Sequence, residues 1–366
     1  MAELPVRIPM DVAYLQTLAT PPSMIPPGVD MIGAPAEWKE TQGEGVKVAV
    51  LDTGKPNHPD ITVKGAVDFT GTGVDDRQGH STHVCGTICA NGKTKGVAPK
   101  VDLYTVKVLN DQGQGTFDWI ISGIRWAIDN GMHVISMSLG GSLPPDSRLH
   151  DVIKEAVAKN IVVVVAAGNM GEFGDHTVMY PAEYDECIAV VAVDLAKTRP
   201  FWSSYGATAE VAALGDKVIS TWLNGQYREL SGTSMSCPHV TGAAAILIAK
   251  RRIRKLPVTV GRIREDLAVF SEDIGPIGWD KFHGYGVFSF GRPGSYDVNL
   301  EFTVGQKLYL KNGVQQQALT PPVIIKDPET KEDRAVMGLR DTGNAFEAAV
   351  TYDHTTKKIT IKKTTA

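Results

Sequence analysis

A chain of 366 residues is longer than one hydrophobic core usually spans, so a large domain with a smaller one is the expected organisation. Its hydrophobic content of 43%, charged content of 21% and formal net charge of -4 give no electrostatic case for nucleic acid or an anionic membrane as partner. The opening MAELPVRIPM lacks the charged-then-apolar layout of a secretion signal, and no apolar run is long enough to span a bilayer, which points to a cytoplasmic protein without a membrane partner.

Taken in order, residues 1–25 read as an irregular segment and linker, stiffened by Pro21-Pro22 and, just beyond, Pro26-Pro27-Gly28. From Val46 the pattern becomes strands alternating with helices. Strands are expected at Val46–Asp52, Val101–Leu109, Val134–Leu139, Ile161–Ala167, Ile188–Val193 and Val218–Thr221. Helices are expected at His80–Ala90, Phe117–Asn130, Arg148–Lys159 and Ser234–Arg251. The run Ile161-Val162-Val163-Val164-Val165 suits a strand buried on both faces of a parallel sheet. The expected fold is therefore a doubly wound, mostly parallel α/β sheet flanked by helices, spanning 26–294. The basic cluster Lys250-Arg251-Arg252-Ile253-Arg254-Lys255 sits where cations complement a helix C-terminus. Beyond Gly294 short alternating segments, with Asn312-Gly313 as a hairpin turn, mark 295–366 as a small β-rich domain.

The chemistry is concentrated in three segments. Ser231-Gly232-Thr233-Ser234-Met235-Ser236-Cys237-Pro238-His239-Val240 puts Ser234 at the start of a long apolar helix, where backbone N–H groups face developing negative charge. Upstream, Asp52 ends an apolar strand and His80 begins a helix. Serine attack on an acyl group needs a base and an acid that orients it, roles that His80 and Asp52 can fill. Asn169, after the valine-rich strand in Ala166-Ala167-Gly168-Asn169, can donate its amide to an oxyanion. The four cysteines, Cys85, Cys89, Cys187 and Cys237, form no CxxC pair and read as reduced, buried thiols rather than a zinc site.

The segments VAVLDTG, GHSTHVCGT, ISMSLGG, AAGN and SGTSMSCPHV together resemble the subtilisin family of serine proteases over most of residues 28–290. The resemblance implies Asp52, His80 and Ser234 as the triad, Asn169 as the oxyanion residue, and His83 as a structural histidine. It implies two substrate-binding edges, Ser138-Leu139-Gly140 and Gly113-Gln114-Gly115. Phe117 falls near the more distant pocket, and Gly168 is a further substrate-binding position. Met179 falls at the floor of the primary pocket, where many relatives carry a small residue, so a preference for small or modest apolar side chains is expected. Ser81 replaces the glycine usual after the histidine and adds bulk beside the base. No catalytic cofactor is implied. Structural calcium stays open. Asp60 matches one ligand position, but the loop Asn91-Gly92-Lys93-Thr94-Lys95-Gly96 is short, carries two lysines and has no carboxylate.

Arg7-Ile8-Pro9-Met10 resembles the short N-terminal element of the intracellular subtilisins, which implies an inhibitory propeptide lying across the active site until it is cut. A proline there removes a backbone donor and bends the chain, which favours binding over cleavage. The tail weakly resembles the repeat named after the N-terminal domain of copper amine oxidase, an accessory module often found on surface proteins, which keeps secretion open. The reading is an endopeptidase made as a self-inhibited, self-processing zymogen, acting on protein or peptide substrates. A homo-oligomer stays open, as does an assembly protein with a protease fold that cleaves mainly itself. The absence of G-x-S-x-G around Ser234 and the acid-before-serine order set aside an α/β-hydrolase esterase.

Overall fold

A computed structural model of the chain describes residues 6–7, 17–21, 24–141 and 147–290, and beyond them the backbone of strands between 298 and 363. It divides into two units, Met1–Gly291 and Arg292–Ala366.

In the first unit β1 (Val6–Arg7) and β2 (Thr17–Leu18) precede α1 (Pro27–Met31) and α2 (Ala34–Glu37). There follow β3 (Lys47–Asp52), β4 (Gly65–Asp68), α3 (His80–Cys89), β5 (Asp102–Lys107), β6 (Gln114–Gly115), α4 (Phe117–Asp129) and β7 (Val134–Met137). The unit continues through α5 (Ser147–Ala158), β8 (Val162–Ala166), β9 (Ile188–Val193), β10 (Ala209–Leu214), β11 (Val218–Trp222) and β12 (Gln226–Leu230). It closes with α6 (Thr233–Ile253), α7 (Val260–Phe270), β13 (Ser271–Glu272) and β14 (Val287–Phe288).

The main sheet has nine strands in the order β13-β14-β10-β9-β8-β7-β3-β5-β4, and only β13 with β14 pairs antiparallel. Side chains on a strand alternate between faces, and the cores follow that period of two. Val48, Val50, Val134, Val162 and Val164 pack with α3 and α6 on one face. Ala49, Leu51, Ile135, Val163 and Val165 pack with α4 and α5 on the other. The valine run of β8 therefore needs no polar alternation. Strand order reverses between β3 and β7, the kind of switch point where open parallel sheets collect ligands beyond their carboxyl ends. Asp52 is the last residue of β3, and Ser138 is the first beyond β7.

Helix α6 carries Pro238 in its second turn, which leaves the Ser234 carbonyl without its usual i+4 amide donor. Ser138 Oγ donates to that carbonyl at 2.9 Å and repairs the gap. The basic residues at the other end of α6 are partnered. Lys250 pairs with Glu37, Arg254 Nε with Glu40 at 2.9 Å, and Arg251 with Asp266 at 2.6 Å. They tie α6 to the α2 region and α7, beyond any effect on the helix dipole.

β11, expected as one more strand of the parallel run, lies instead in a three-stranded sheet with β12 and β2. The cause is local: β11 and β12 pair antiparallel across a short turn in which Asn224 takes a φ of 60°. In the second unit β15 (Val298–Thr303), β16 (Leu308–Lys311), β17 (Val314–Gln317), β18 (Val323–Lys326), β19 (Asp333–Val336), β20 (Ala349–Asp353) and β21 (Lys358–Lys363) follow in sequence. They form an antiparallel sheet of order β17-β16-β15-β21-β20 and the separate pair β18-β19. The Asn312-Gly313 turn lies outside the described residues, between paired Lys311 and Val314.

Candidate active site

Asp52 and His80 meet at the carboxyl end of β3. His80 Nδ1 lies 2.8 Å from Asp52 Oδ1 and 2.9 Å from Oδ2, and both side chains are buried. Thr53 N–H donates to Asp52 Oδ1 at 2.7 Å, and the Asp52 carbonyl accepts from Val108 and Leu109 N–H. The carboxylate is thereby held against Nδ1, the arrangement that would fix the ring's tautomer and offset a positive charge on it.

Asp76 holds the helix that carries His80, a role not read from the sequence. Its Oδ1 accepts from Thr53 Oγ1 at 2.9 Å, Gln78 N–H at 3.0 Å and Gly79 N–H at 2.8 Å. Its Oδ2 accepts from Thr82 N–H at 2.8 Å and Thr82 Oγ1 at 2.6 Å. One buried carboxylate thus satisfies two of the backbone donors at the start of α3, those of Gly79 and Thr82, and its bond to Thr53 ties the helix entry to the neighbour of Asp52. An acidic residue four positions before a helix-starting histidine was the available signal. Gly79 has a φ of 103°, and a Cβ there would lie 2.5 Å from the Trp222 ring, so glycine is required at this entry. Ser81 is buried and bonded to the chain after β3: its Oγ donates to the Gly54 carbonyl at 2.6 Å, and its N–H donates to Thr53 Oγ1 at 3.0 Å. His83 sits with Nε2 3.1 Å from the Val218 carbonyl and 3.0 Å from that of Arg228, and burial lowers its pKa to about 3. It is neutral, and a strut between α3 and the β11–β12 hairpin.

Ser234 occupies the second position of α6, buried, with Oγ donating to the Ser138 carbonyl at 3.4 Å. α6 packs against α3, which brings the serine and histidine helices together. Asn169 Oδ1 accepts from Thr233 N–H at 2.9 Å and Thr233 Oγ1 at 3.0 Å. A backbone N–H can only donate, so this end of the amide is the oxygen and the opposite end is the N–H donor. Gly168 N–H donates to Thr233 Oγ1 at 3.0 Å, which binds the turn after β8 to the start of α6.

The expected substrate edges lie beside this cluster. The Asn110 side chain accepts from Gln112 and Gln114 N–H and folds the turn through Gly113 that presents β6. β6 leads directly into α4, whose first residue is Phe117. Leu139 and Gly140 are both buried. Between the two edges lies the chain's own N-terminus: β1 pairs antiparallel with β6, Val6 opposite Gly115 and Arg7 opposite Gln114. Arg7 N–H donates to the Gly140 carbonyl at 3.3 Å, and Gly140 N–H donates back at 3.0 Å. Val6 is buried in the same apolar cluster as Leu109 and Leu139, against which Phe117 packs. Ile8, Pro9 and Met10 lie outside the described residues. Met179, 4% exposed, fills the space between two glycine walls. A Cβ on Gly168 would come within 2.6 Å of its Cγ, and one on Gly140 within 3.1 Å of its Cβ.

Asp60 is not arranged to hold calcium. Its Oδ1 accepts from Lys93 N–H at 3.0 Å, and its Oδ2 accepts from Thr94 N–H at 3.1 Å and Tyr227 OH at 2.7 Å. Donor hydrogens already point at both oxygens, and the Lys95 ammonium binds Asn91 Oδ1 in the same loop. A hard cation would have to displace these donors and sit beside an ammonium group. Among the described residues no group of three or more His, Cys, Asp or Glu could hold a metal ion. All four cysteines are free and buried, and burial pushes Cys237 up to about 11 and Cys89 up to about 12, so they are poor nucleophiles.

The profile of the Subtilase family matches residues 43–286. The chain is 45% identical over 238 residues to "Intracellular serine protease" of Paenibacillus polymyxa, covering 61% of this chain and 72% of that protein. It is 46% identical over 234 residues to "Subtilisin DY" of Bacillus licheniformis, covering 62% of this chain and 85% of that one. To "Subtilisin" of Bacillus pumilus it is 45% identical over 235 residues, with coverage of 62% and 85%.

Proposed function

This chain belongs to the subtilase family and is a subtilisin-like serine endopeptidase; from that premise we propose that Asp52, His80 and Ser234 carry out the hydrolysis and that the N-terminal segment holds it in check. Ser234 Oγ attacks the peptide carbonyl while His80 takes its proton. Asp52, bonded to Nδ1, stabilises the imidazolium that forms. The Asn169 amide and the N-terminal N–H groups of α6 stabilise the oxyanion. One such side-chain donor, as measured in a subtilisin itself, is worth roughly 2.7–4 kcal/mol of barrier. His80 then protonates the leaving amine, and water activated by the same ring hydrolyses the acyl-enzyme. No cofactor takes part in these steps.

The observation that carries the reading is the Asp52–His80 pair set at the switch point, with His80 on a helix packed against the one that carries Ser234 in its first turn. Expression of the chain and of Ser234→Ala tests it. The unsubstituted protein should hydrolyse casein and lose N-terminal mass, and the variant should do neither. Equal hydrolysis and equal mass would defeat both the nucleophile and the self-processing reading.

The inhibitory role of the N-terminal segment is supported by Arg7, which pairs with both Gly140 and β6 as an extended substrate would. Deleting residues 1–20 should raise the rate on a small peptide substrate. Primary-site preference follows from Met179, whose side chain takes the depth that a long aromatic residue would need. Met179→Gly should raise cleavage after Phe relative to cleavage after Ala by about tenfold or more, the scale of a few methylenes in a pocket. No helix among the described residues is long and apolar enough to cross a membrane. A cytoplasmic site of action rests on the N-terminal resemblance and on the Paenibacillus relative's name. The role of residues 295–366 as an accessory module of the copper amine oxidase N-terminal type rests on resemblance alone.

A further inference from the structure

We propose that the outer edge of β12 is a second polypeptide-binding rail, which takes the part of a protein substrate on the C-terminal side of the bond being cut. The proposal deepens the protease reading and rests on it.

β12 has β11 on one edge and β2 on the other. β2 is the chain's own Thr17–Leu18, paired with Arg228 and Tyr227. This contact is made between backbones, so it does not depend on the two side chains supplied by the segment. Its polarity also fits. β12 runs towards Ser234 and ends four residues before it, at Leu230. A strand antiparallel to β12 therefore runs away from the nucleophile, and Thr17 precedes Leu18 in that direction. At the other end of the cleft β1 lies antiparallel to β6. The N-terminal segment thus passes first the β6–Gly140 side and then β12, which is the polarity of a substrate crossing Ser234. Arg228 and Ser234 are six residues apart, so at most about 20 Å of chain separates rail and nucleophile.

Arg228 and Trp222 flank the rail. The Arg228 guanidinium lies 4.4 Å over the Trp222 ring, and its Nε is buried without a hydrogen-bond partner among the described residues. Trp222 also closes over Gly79, next to His80, so occupation of the rail reaches the residue before the base. The occupant must be extended and at least several residues long past the cut. This selects unfolded protein over short peptides, with β2 as its built-in competitor.

Three matched fluorogenic peptides test this on the full chain and on its Thr17→Pro, Leu18→Pro form, in which β2 loses both amide donors. One peptide ends two residues past the scissile bond. The second continues for ten, and the third is the second with N-methyl amides five to eight residues past the bond. In the proline form the long peptide should exceed the short one by about tenfold in kcat/KM, carried by KM, as two or three added backbone hydrogen bonds would supply. N-methylation should abolish the gain. The unsubstituted chain should show a smaller advantage, also lost on methylation, and this comparison stands whether or not the proline form folds. Equal kcat/KM for all three peptides, or a length advantage untouched by methylation, would overturn the rail and leave the protease reading standing. No cleavage of any peptide by either chain would overturn both.

Discussion

Asp60 and Asp76 come from the same stretch of chain, between β3 and α3, and each is a buried carboxylate surrounded by N–H and O–H donors. Around Asp60 the donors belong to a surface loop and to Tyr227, 167 residues away, so the result is a folded loop. Around Asp76 they belong to the first turn of α3 and to the neighbour of Asp52, so the result is a positioned histidine. Carboxylate chemistry is the same in the two regions. What differs is the freedom of whatever the donors are attached to, and that decides whether a substitution is read out as stability or as rate.

Substitutions can break this comparison, beginning where the effect is greatest. Asp52→Asn should lower kcat by about 10⁴-fold, the loss seen when a triad acid is replaced without loss of shape, with the fold intact by circular dichroism. Asp76→Ala should lower kcat roughly 10- to 100-fold with little change in KM, because a small displacement of the base is felt in the chemical step. Asp76→Asn, which keeps an acceptor, should recover part of the rate. A KM effect alone would mean that Asp76 shapes the cleft instead. Tyr227→Phe should cost about 1–3 kcal/mol of stability by leaving Asp60 short of a donor, with kcat unchanged. Burial and the Asp60 carboxylate raise the Tyr227 phenol's pKa, so this donor persists through the alkaline range. Loss of activity at unchanged stability would erase the distinction between the two regions.

A pH series reads out the buried histidines of α3 and α6. Burial lowers His83 to about 3, and His239 on α6 to about 4. The unfolded chain would protonate both near 6.5, so it binds more protons than the folded one below that value. Their stabilising contribution is complete above pH 6.5 and is lost as pH falls towards 4, by about 1 kcal/mol per histidine per unit. His83→Gln should flatten the slope of urea-measured stability between pH 6.5 and 4.5. An unchanged slope would place the acid sensitivity elsewhere.

Much of this was legible in the sequence because the physics is local. The valine run of β8 needs only two buried faces, and Ser234 needs only a glycine-threonine entry to a long apolar helix. The reverse holds for Asp76. Asp76 shows only its spacing from His80 until the fold brings the Thr53 hydroxyl against it. Asp60 matched a calcium position in the sequence, but the phenol that occupies its oxygen comes from β12, far along the chain. The β2–β12 pairing was hidden for a related reason: two residues of strand carry no periodicity, and their register is fixed by an edge supplied more than two hundred residues later.

The proposed activation of Ser234 by Asp52 and His80 can be measured directly. A fluorophosphonate, which reacts only with an activated serine, tests it by intact and peptide mass. A single adduct is expected, on the peptide that contains Ser234, formed rapidly in the unsubstituted chain and lost in His80→Ala. An adduct on another serine, or equal labelling of Ser234 with and without His80, would contradict it.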